Sequence, residues 1–424
     1  RRSAKAPRAP KPGAALVAAL SMASKVVETR TPNPVLAHVL VATDGAGNLR
    51  IAATDVADWF EATVPLDGVA WEGPAVAVDA AQMLALAKAG IASATVTGAP
   101  EAPKLEVRSR SGAMQTIPGQ AAAEFPPRPE TVYGEPCGFD APALRRALDL
   151  VLPSVSADDN RYGLNGICVE AGRGLDEPRV RFLATDGNRL HLASAPLVSG
   201  SLAWPTKMLL RRKSGQRWAA MLKMGGATAA RLATEAGPDP RSATLRIAAA
   251  DGGEWRILSR LQDGDFPDYR RVLPTEYARG YRIDAMALAA ALKDGLKVAI
   301  HCFCAVRFSF DAENETLRLS ASAIDRGDWK AEVPLIVTQR PGVTTRMVRR
   351  EDGAEVETPF LPSPSCSIGF NAKFVLDAID LALATGDGFL RWEATADMLG
   401  PTRIAADGTD PETYGAFVMP VRLD

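Results

Sequence analysis

An α+β fold of three similar domains, each with two helices packed on antiparallel sheet, is the architecture this sequence predicts. Three observations carry it: a long internal repeat, a helical stretch on either side of each copy, and short runs of alternating residues between them. The repeat comes first. Leu49–Trp59 (LRIAATDVADW) recurs as Arg181–Leu190 (RFLATDGNRL) and again as Leu317–Trp329 (LRLSASAIDRGDW). The period is roughly 130 residues, far beyond the 20–50 of a solenoid repeat, so each copy is a whole domain.

The helices follow from spacing. Ala14–Val26, Ala141–Leu152 and Ala285–Val298 precede the three copies, and Asp79–Ala89, Pro205–Lys223 and Asn371–Ala384 follow them. Apolar residues recur at three and four positions in each, which places them on one helical face. Leu105–Arg108, Thr244–Ile247 and Val306–Phe310 alternate with period two and read as strands with one buried face. Two units close on an aromatic followed by proline, Glu124-Phe-Pro126 and Asp265-Phe-Pro-Asp-Tyr269, where proline ends a strand. Boundaries fall near residues 130 and 275, giving a basic flexible tail over 1–11 and domains over 12–130, 131–274 and 275–424. Arg1, Arg2, Lys5, Arg8 and Lys11 supply the charge of that tail, with DNA contact as its alternative role.

Composition bounds the function. With 47% apolar and 23% charged residues over 424 positions, the chain can bury several cores and is not of the disordered class. Its longest apolar runs, Ala14–Leu20 and Val375–Ala384, fall short of a membrane span. Cys137, Cys168, Cys302, Cys304 and Cys366 form no disulfide framework, so they read as buried thiols of a cytoplasmic protein. A net charge of −1 excludes a protein that grips nucleic acid by wholesale phosphate neutralisation.

Catalytic signals are sparse. His38, His191 and His301 are the only histidines, and none has metal-ligand spacing. In His301-Cys-Phe-Cys304, strand alternation would set the two cysteines on one side and His301 on the other. No phosphate-binding glycine loop, nucleophile elbow or paired-acid motif occurs, so neither catalytic residues nor a metal or other cofactor are expected. Read without further context, Thr54-Asp55 is turn chemistry, Val418 and Met419 belong to a last core strand, and Arg30 and Arg161 are surface charges.

Five motifs change that reading. They are Arg161–Gly166 (RYGLNG), Ala184–Leu190 (ATDGNRL), Phe266–Pro274 (FPDYRRVLP), Ile368–Asp377 (IGFNAKFVLD) and Phe417–Leu423 (FVMPVRL). In this order, on a threefold repeat, the chain resembles the bacterial beta sliding clamps, the beta subunits of DNA polymerase III, over residues 12–424. The resemblance implies two chains joined head to tail into a ring of six domains, sheets outside and helices lining the hole. It implies a non-enzymatic processivity factor of the cytoplasm that encircles duplex DNA regardless of sequence. Its partners would be the replicative polymerase catalytic subunit, the clamp loader, and other polymerases and repair proteins carrying clamp-binding peptides. A clamp-like accessory or mobile-element paralogue with the same partners is the alternative.

By the same resemblance Arg30, Arg161 and Tyr162 face DNA. The partner peptide enters a pocket lined by Leu164, Thr185, Gly187, Asn188, Arg189, Leu190, Pro267, Arg271, Val272, Phe303, Asn371, Phe374, Leu399, Pro401, Val418, Met419, Pro420, Val421 and Arg422. Apolar walls, a few polar groups and an adaptable methionine suit that task. The dimer joint would set Leu105–Ile117 of the first domain against Lys293–Ala299 of the third. This sequence departs from the family at Gly163, Asn188, Phe374 and the extra Asp424, and Thr338–Ser365 reads as a long exposed loop.

Overall fold

Residues 13–161, 163–171, 178–200, 207–237, 239–250, 252–300, 302–342, 344–349, 355–360, 363, 365–384, 386, 388–410 and 413–422 are described in a computed structural model. One series of elements recurs three times. The first copy runs α1 (Ala14–Ala23), β1 (His38–Thr43), β2 (Asn48–Thr54), β3 (Asp58–Pro65), β4 (Ala70–Glu72), β5 (Val76–Asp79), α2 (Ala80–Ala89), β6 (Ile91–Ala99), β7 (Ala102–Ser109) and β8 (Met114–Ala121). The second runs β9 (Cys137–Asp140), α3 (Ala141–Val151), β10 (Gly166–Ala171), β11 (Arg179–Thr185), β12 (Arg189–Ser199), β13 (Lys207–Arg211), α4 (Arg212–Met224), β14 (Ala229–Thr234), β15 (Ser242–Ala248) and β16 (Glu254–Arg260). The third runs β17 (Arg279–Asp284), α5 (Ala285–Ala299), β18 (Ala305–Asp311), β19 (Thr316–Ala323), β20 (Gly327–Gln339), β21 (Thr344–Arg349), β22 (Glu355–Phe360), β23 (Cys366–Asn371), α6 (Ala372–Leu383), β24 (Phe389–Ala394), β25 (Thr402–Ala406) and β26 (Tyr414–Val418).

Five of the helices spring directly from a strand, and in four of them, all but α4, the side chain of the last strand residue caps the helix. Asp79 Oδ1 accepts from Gln82 N at 2.8 Å, Asp140 Oδ1 from Ala143 N at 2.8 Å, and Asp284 Oδ1 from Ala287 N at 2.7 Å. Asn371 Oδ1 accepts from Lys373 N and Phe374 N. A short side-chain acceptor satisfies the free amides of a first helical turn, so an Asp or Asn at that point converts strand to helix without a loop.

By contacts the chain divides into two compact units. One comprises Arg1–Asp149, Val169–Val180 and Ala195–Asp263; the other comprises Leu150–Cys168, Arg181–Ser194 and Gly264–Asp424. In the first unit a sheet runs β4-β6-β7-β8-β5-β1-β2-β3-β16-β15-β14-β9, antiparallel except for β4–β6. Helix α1 packs against α2 and α4, burying Leu20 and Met22, while Phe60 meets Trp255 edge to face at 5.8 Å. In the second unit Arg189–Ala193 of β12 begins a path β12-β26-β25-β24-β17-β20-β19-β18-β23. Its core is aromatic: Phe308, Phe310, Phe370, Tyr281 and Trp392 pack with centroids 4.6–6.5 Å apart.

The α+β class is as expected, and three local expectations are corrected. Of the helix expected over Pro205–Lys223, Lys207–Arg211 is strand β13. Gln262 N donates to Leu209 O at 2.8 Å, and an isolated bridge pairs Leu210 with Leu261, so cross-strand pairing claims that backbone before the helix starts at Arg212. The loop expected over Thr338–Ser365 contains the end of β20 and a hairpin in which β21 pairs with β22 from Thr344↔Phe360 to Arg349↔Glu355. Its prolines had hidden the alternation, and a two-stranded ribbon tolerates Pro359 because each strand has a free side. Cys302 and Cys304 are not on a strand. Both of their amides reach back to Ala299 O at 2.9 Å, and Phe303 and Cys304 take left-handed φ of 53° and 58°. This unwound helix end follows no alternation. No disulfide joins the five cysteines; Cys137, Cys168 and Cys304 are buried, and Cys302 and Cys366 half-buried. His301, the 1–11 tail, Tyr162 and Asp424 lie outside the described residues.

Candidate partner-binding site

The Thr-Asp turn between β11 and β12 is the foundation of the site. Thr185 Oγ1 donates to Arg189 O at 2.6 Å and accepts from Gly187 N at 3.1 Å. Asp186 Oδ1 accepts from the amides of Asn188 and Arg189 at 3.0 and 3.2 Å. Gly187 sits at φ 91°, a conformation in which a side chain would be strained. The turn is thus fixed by its own side chains, and Leu190 is delivered onto β12, 6% exposed.

β26 forms the facing wall. Arg189 pairs with Val418 and Leu190 with Phe417, and Met419 N then donates to Asn188 O at 2.9 Å. Val418 is buried, whereas Met419 is exposed beside the turn. Val421 N donates to Gly369 O at 2.8 Å, tying the following residues to β23. Thr402 pairs with Val418, which brings up Pro401 and the Thr395–Gly400 turn. There Asp397 Oδ1 accepts from Leu399 N at 3.0 Å and Thr395 Oγ1 at 2.7 Å, leaving Leu399 56% exposed. Burial raises the Asp397 pKa, but these hydrogen bonds overcome it and hold the carboxyl below its ordinary value.

Helix α6 closes the third side. Asn371, its cap, donates from Nδ2 to Phe303 O at 3.1 Å, and Ala372 N donates to Cys304 O at 2.7 Å. These bonds hold the left-handed bend on which Phe303 stands 93% exposed. Phe374 lies under the Arg189 guanidinium, 4.2 Å from its carbon to the ring centroid. That guanidinium is turned inward: Nε donates to Asp186 Oδ2 at 3.0 Å, and Nη1 pairs with Asp377. Phe303, Val421 and Arg422 share a further groove with Cys302, Arg307, Asp328 and Trp329. Sequence reasoning missed those last four; the alternation of β18 and β20 was the available signal for Arg307, Asp328 and Trp329, and the unwound helix end gave none for Cys302.

The remaining residues join through the Asp158–Leu164 loop. Arg161 Nη1 donates to Asp186 O at 3.1 Å, and Leu164 N donates to Arg161 O at 3.0 Å. A Cβ on Gly163, at φ 89°, would lie 2.5 Å from Asp265 O, so glycine permits this loop to meet the segment bearing Pro267, Arg271 and Val272. Val272 is 62% exposed, and Arg271 pairs with Asp268 at 3.1 Å. Exposed Arg161 is therefore a support of the turn. Arg30 is exposed in the connection from α1 to β1, where its amide donates to Glu28 Oε1 at 3.3 Å. Among the described residues no helix is long and apolar enough to cross a membrane, and no group of three or more His, Cys, Asp or Glu could hold a metal ion.

An α+β chain of three similar domains, joined by strand pairing and presenting exposed apolar side chains such as Met419 near the second Thr-Asp turn, belongs to the class of DNA-clamp folds. No protein-family model matches the chain. It is 26% identical over 418 residues to the beta sliding clamp of Caulobacter vibrioides, covering 97% of this chain and 98% of that one. To the beta sliding clamp of Synechococcus elongatus it is 28% identical over 333 residues, 76% of this chain and 82% of the other. In fold it is similar to the crystal structure of a Caulobacter crescentus beta sliding clamp, with a TM-score of 0.77 at 22% identity and 97% of each chain covered. The Thermotoga maritima DNA polymerase III beta subunit gives a TM-score of 0.75 at 22% identity, covering 97% of this chain and 98% of that one. The chain is a homologue of the bacterial beta sliding clamps along nearly its whole length, and its function is that of a DNA sliding clamp.

Proposed function

We propose that the chain acts as a processivity factor without catalysis of its own, closing as a head-to-tail homodimer around duplex DNA and tethering polymerases through the pocket at Leu190 and Met419. The domains run 12–130, 131–274 and 275–424. One observation carries the reading. The last strand of the second copy, β16, pairs with β3 of the first, and the last strand of the third, β26, pairs with β12 of the second. The pattern leaves β8, the last strand of the first copy, and β20, the third copy's counterpart of β3 and β12. Among the described pairings, Met114–Pro118 of β8 and Gly327–Pro334 of β20 are each paired on one side only. A second copy satisfies both edges, because the same antiparallel rule applied twice more closes the ring.

Closure accounts for the charge balance. A topologically linked protein needs only weak phosphate contacts, here from Arg30 with Arg161 and Tyr162, and not an excess of Lys and Arg. The exposed Met419, Leu399, Val272 and Phe303 then supply an adaptable surface for the apolar anchors of a polymerase, clamp loader or repair-protein peptide.

The test is retention. Clamp loaded by an ATP-driven loader onto nicked circular duplex should stay bound in salt that strips ordinary DNA-binding proteins, and cutting the circle should release it. Equal retention on linear DNA with free ends would mean that affinity does the holding.

A further inference from the structure

The two Thr-Asp turns carry the same ion-pair site built with opposite polarity. At the first, Thr54 Oγ1 donates to Asp58 O at 2.8 Å, as Thr185 Oγ1 does to Arg189 O at the second. Asp58 and Arg189 are therefore equivalent. Strand pairing agrees, with Asp58 opposite Ser259 of β16 and Arg189 opposite Val418 of β26. The partner of each comes from the second helix of the following copy, six residues past the N-cap residue: Arg217 after Arg211, and Asp377 after Asn371.

In both places one guanidinium sits between a turn aspartate and the carbonyls just past the end of the preceding helix. Arg217 reaches Asp55 Oδ2 at 2.7 Å, Lys25 O at 3.0 Å and Val26 O at 3.1 Å, and pairs with Asp58, whose other oxygen accepts from Ser214 at 2.7 Å. Arg189 reaches Asp186 Oδ2 at 3.0 Å and Pro153 O, and pairs with Asp377. Lys25 and Val26 follow α1 as Pro153 follows α3. The guanidinium keeps its place while its origin changes, from the docking helix at the first joint to the turn at the second.

A buried cation or carboxylate without its counterpart is strongly disfavoured, so each joint rejects the other's helix: Asp377 would meet Asp58, and Arg217 would meet Arg189. The third turn carries Asp328 before Trp329 as the first carries Asp58 before Trp59, and Asp328 is exposed on the one-sided edge of β20. The second helix of the first copy, α2, has Ala85 six residues past its N-cap residue Asp79. We propose that these sites form a docking code, and that its third copy, at Asp328, receives α2 of a second chain in a joint kept weak because Ala85 stands where the cation would be. This rests on the ring reading for its partner, but the code within the chain does not.

Two experiments on the full chain separate them. Arg217→Asp should lower the melting temperature strongly by gathering three carboxylates, and adding Asp58→Arg should restore most of the loss, since that exchange reproduces the second joint. A double variant no more stable than the single one would overturn the code, whatever the oligomeric state. Ala85→Arg, at an exposed position, should tighten the dimer at least tenfold in sedimentation equilibrium, and the gain should vanish in Ala85→Arg/Asp328→Ala. A dimer that ignores Ala85→Arg, or tightens equally without Asp328, would refute the third site. A chain that stays monomeric at every concentration would instead refute the ring.

Discussion

His191 makes acid stability a direct probe of the strand under the pocket. It lies on β12 beside Leu190 with no exposed surface, its Nδ1 3.0 Å from Leu150 O, and its Nε2 is buried without a hydrogen-bond partner among the described residues. Protonation would place a second N–H where nothing accepts it. Burial, assisted by the nearby Arg189 charge and opposed by the Leu150 bond, pulls its pKa down from 6.5 to about 4. The unfolded chain therefore takes up a proton between pH 6.5 and 4 that the folded chain refuses. Stability from this residue is complete above pH 6.5 and is lost as the pH falls toward 4. At about 1.4 kcal/mol per unit, the loss between pH 7.5 and 5 is roughly 2 kcal/mol. Urea unfolding at those two pH values, on the native chain and on His191→Gln, isolates the contribution, because glutamine retains a donor for Leu150 O and does not titrate. The native chain should lose about 2 kcal/mol more than the variant. Equal losses would mean that the imidazole is solvated or charged in the folded state, and the account of this strand would fail.

Three further outcomes follow from single side chains. Met419→Ala should weaken a clamp-binding peptide about tenfold to a hundredfold in calorimetry, from roughly 1.5–3 kcal/mol of lost burial, with melting temperature unchanged. Phe303→Gly should raise the unfolding free energy by about 1 kcal/mol in urea titration, because glycine accepts φ 53° without strain, yet weaken the same peptide. Gly295→Ala should destabilise by about 1–3 kcal/mol despite alanine's better helix propensity, since its Cβ would fall 2.5 Å from the Trp329 ring; an unchanged thermal midpoint would show that ring free to move.

Much of this molecule is legible because its copies share local chemistry. The Thr-Asp turn announces itself by a side chain that caps its own backbone, and the Asp or Asn before a helix does the same, so repeat and helix starts are written in neighbouring residues. Lys207–Arg211 was misread because its identity as strand depends on Leu209 and Leu210 meeting the β16 end, a contact that no local period encodes. Cys302–Cys304 was misread because alternation was assumed where α5 unwinds. The pocket was read from resemblance and is a proposal; the geometry bonds Thr185 to Arg189, lays Phe374 under the Arg189 guanidinium, pairs Arg189 with Val418 and Leu190 with Phe417, and ties Met419 N to Asn188 O. What no spacing could reveal is the inward turn of Arg189 toward Asp377, or the pairing of Asp58 with Arg217: both unite residues more than 150 positions apart.

In the proposed partner site, Arg189 limits how the pocket can evolve. Its guanidinium shapes the floor against Phe374, and the same group neutralises Asp377 and ties down the carbonyl of Pro153. A substitution that reshaped this floor to exclude a competing ligand would also strand a carboxylate and loosen the joint, so escape by that route carries a folding penalty. Asn188 and Leu399 bear no such second duty in their exposed side chains. Divergence in partner preference among related chains should therefore collect at the rim, while the floor is held constant by assembly, independently of what binds there.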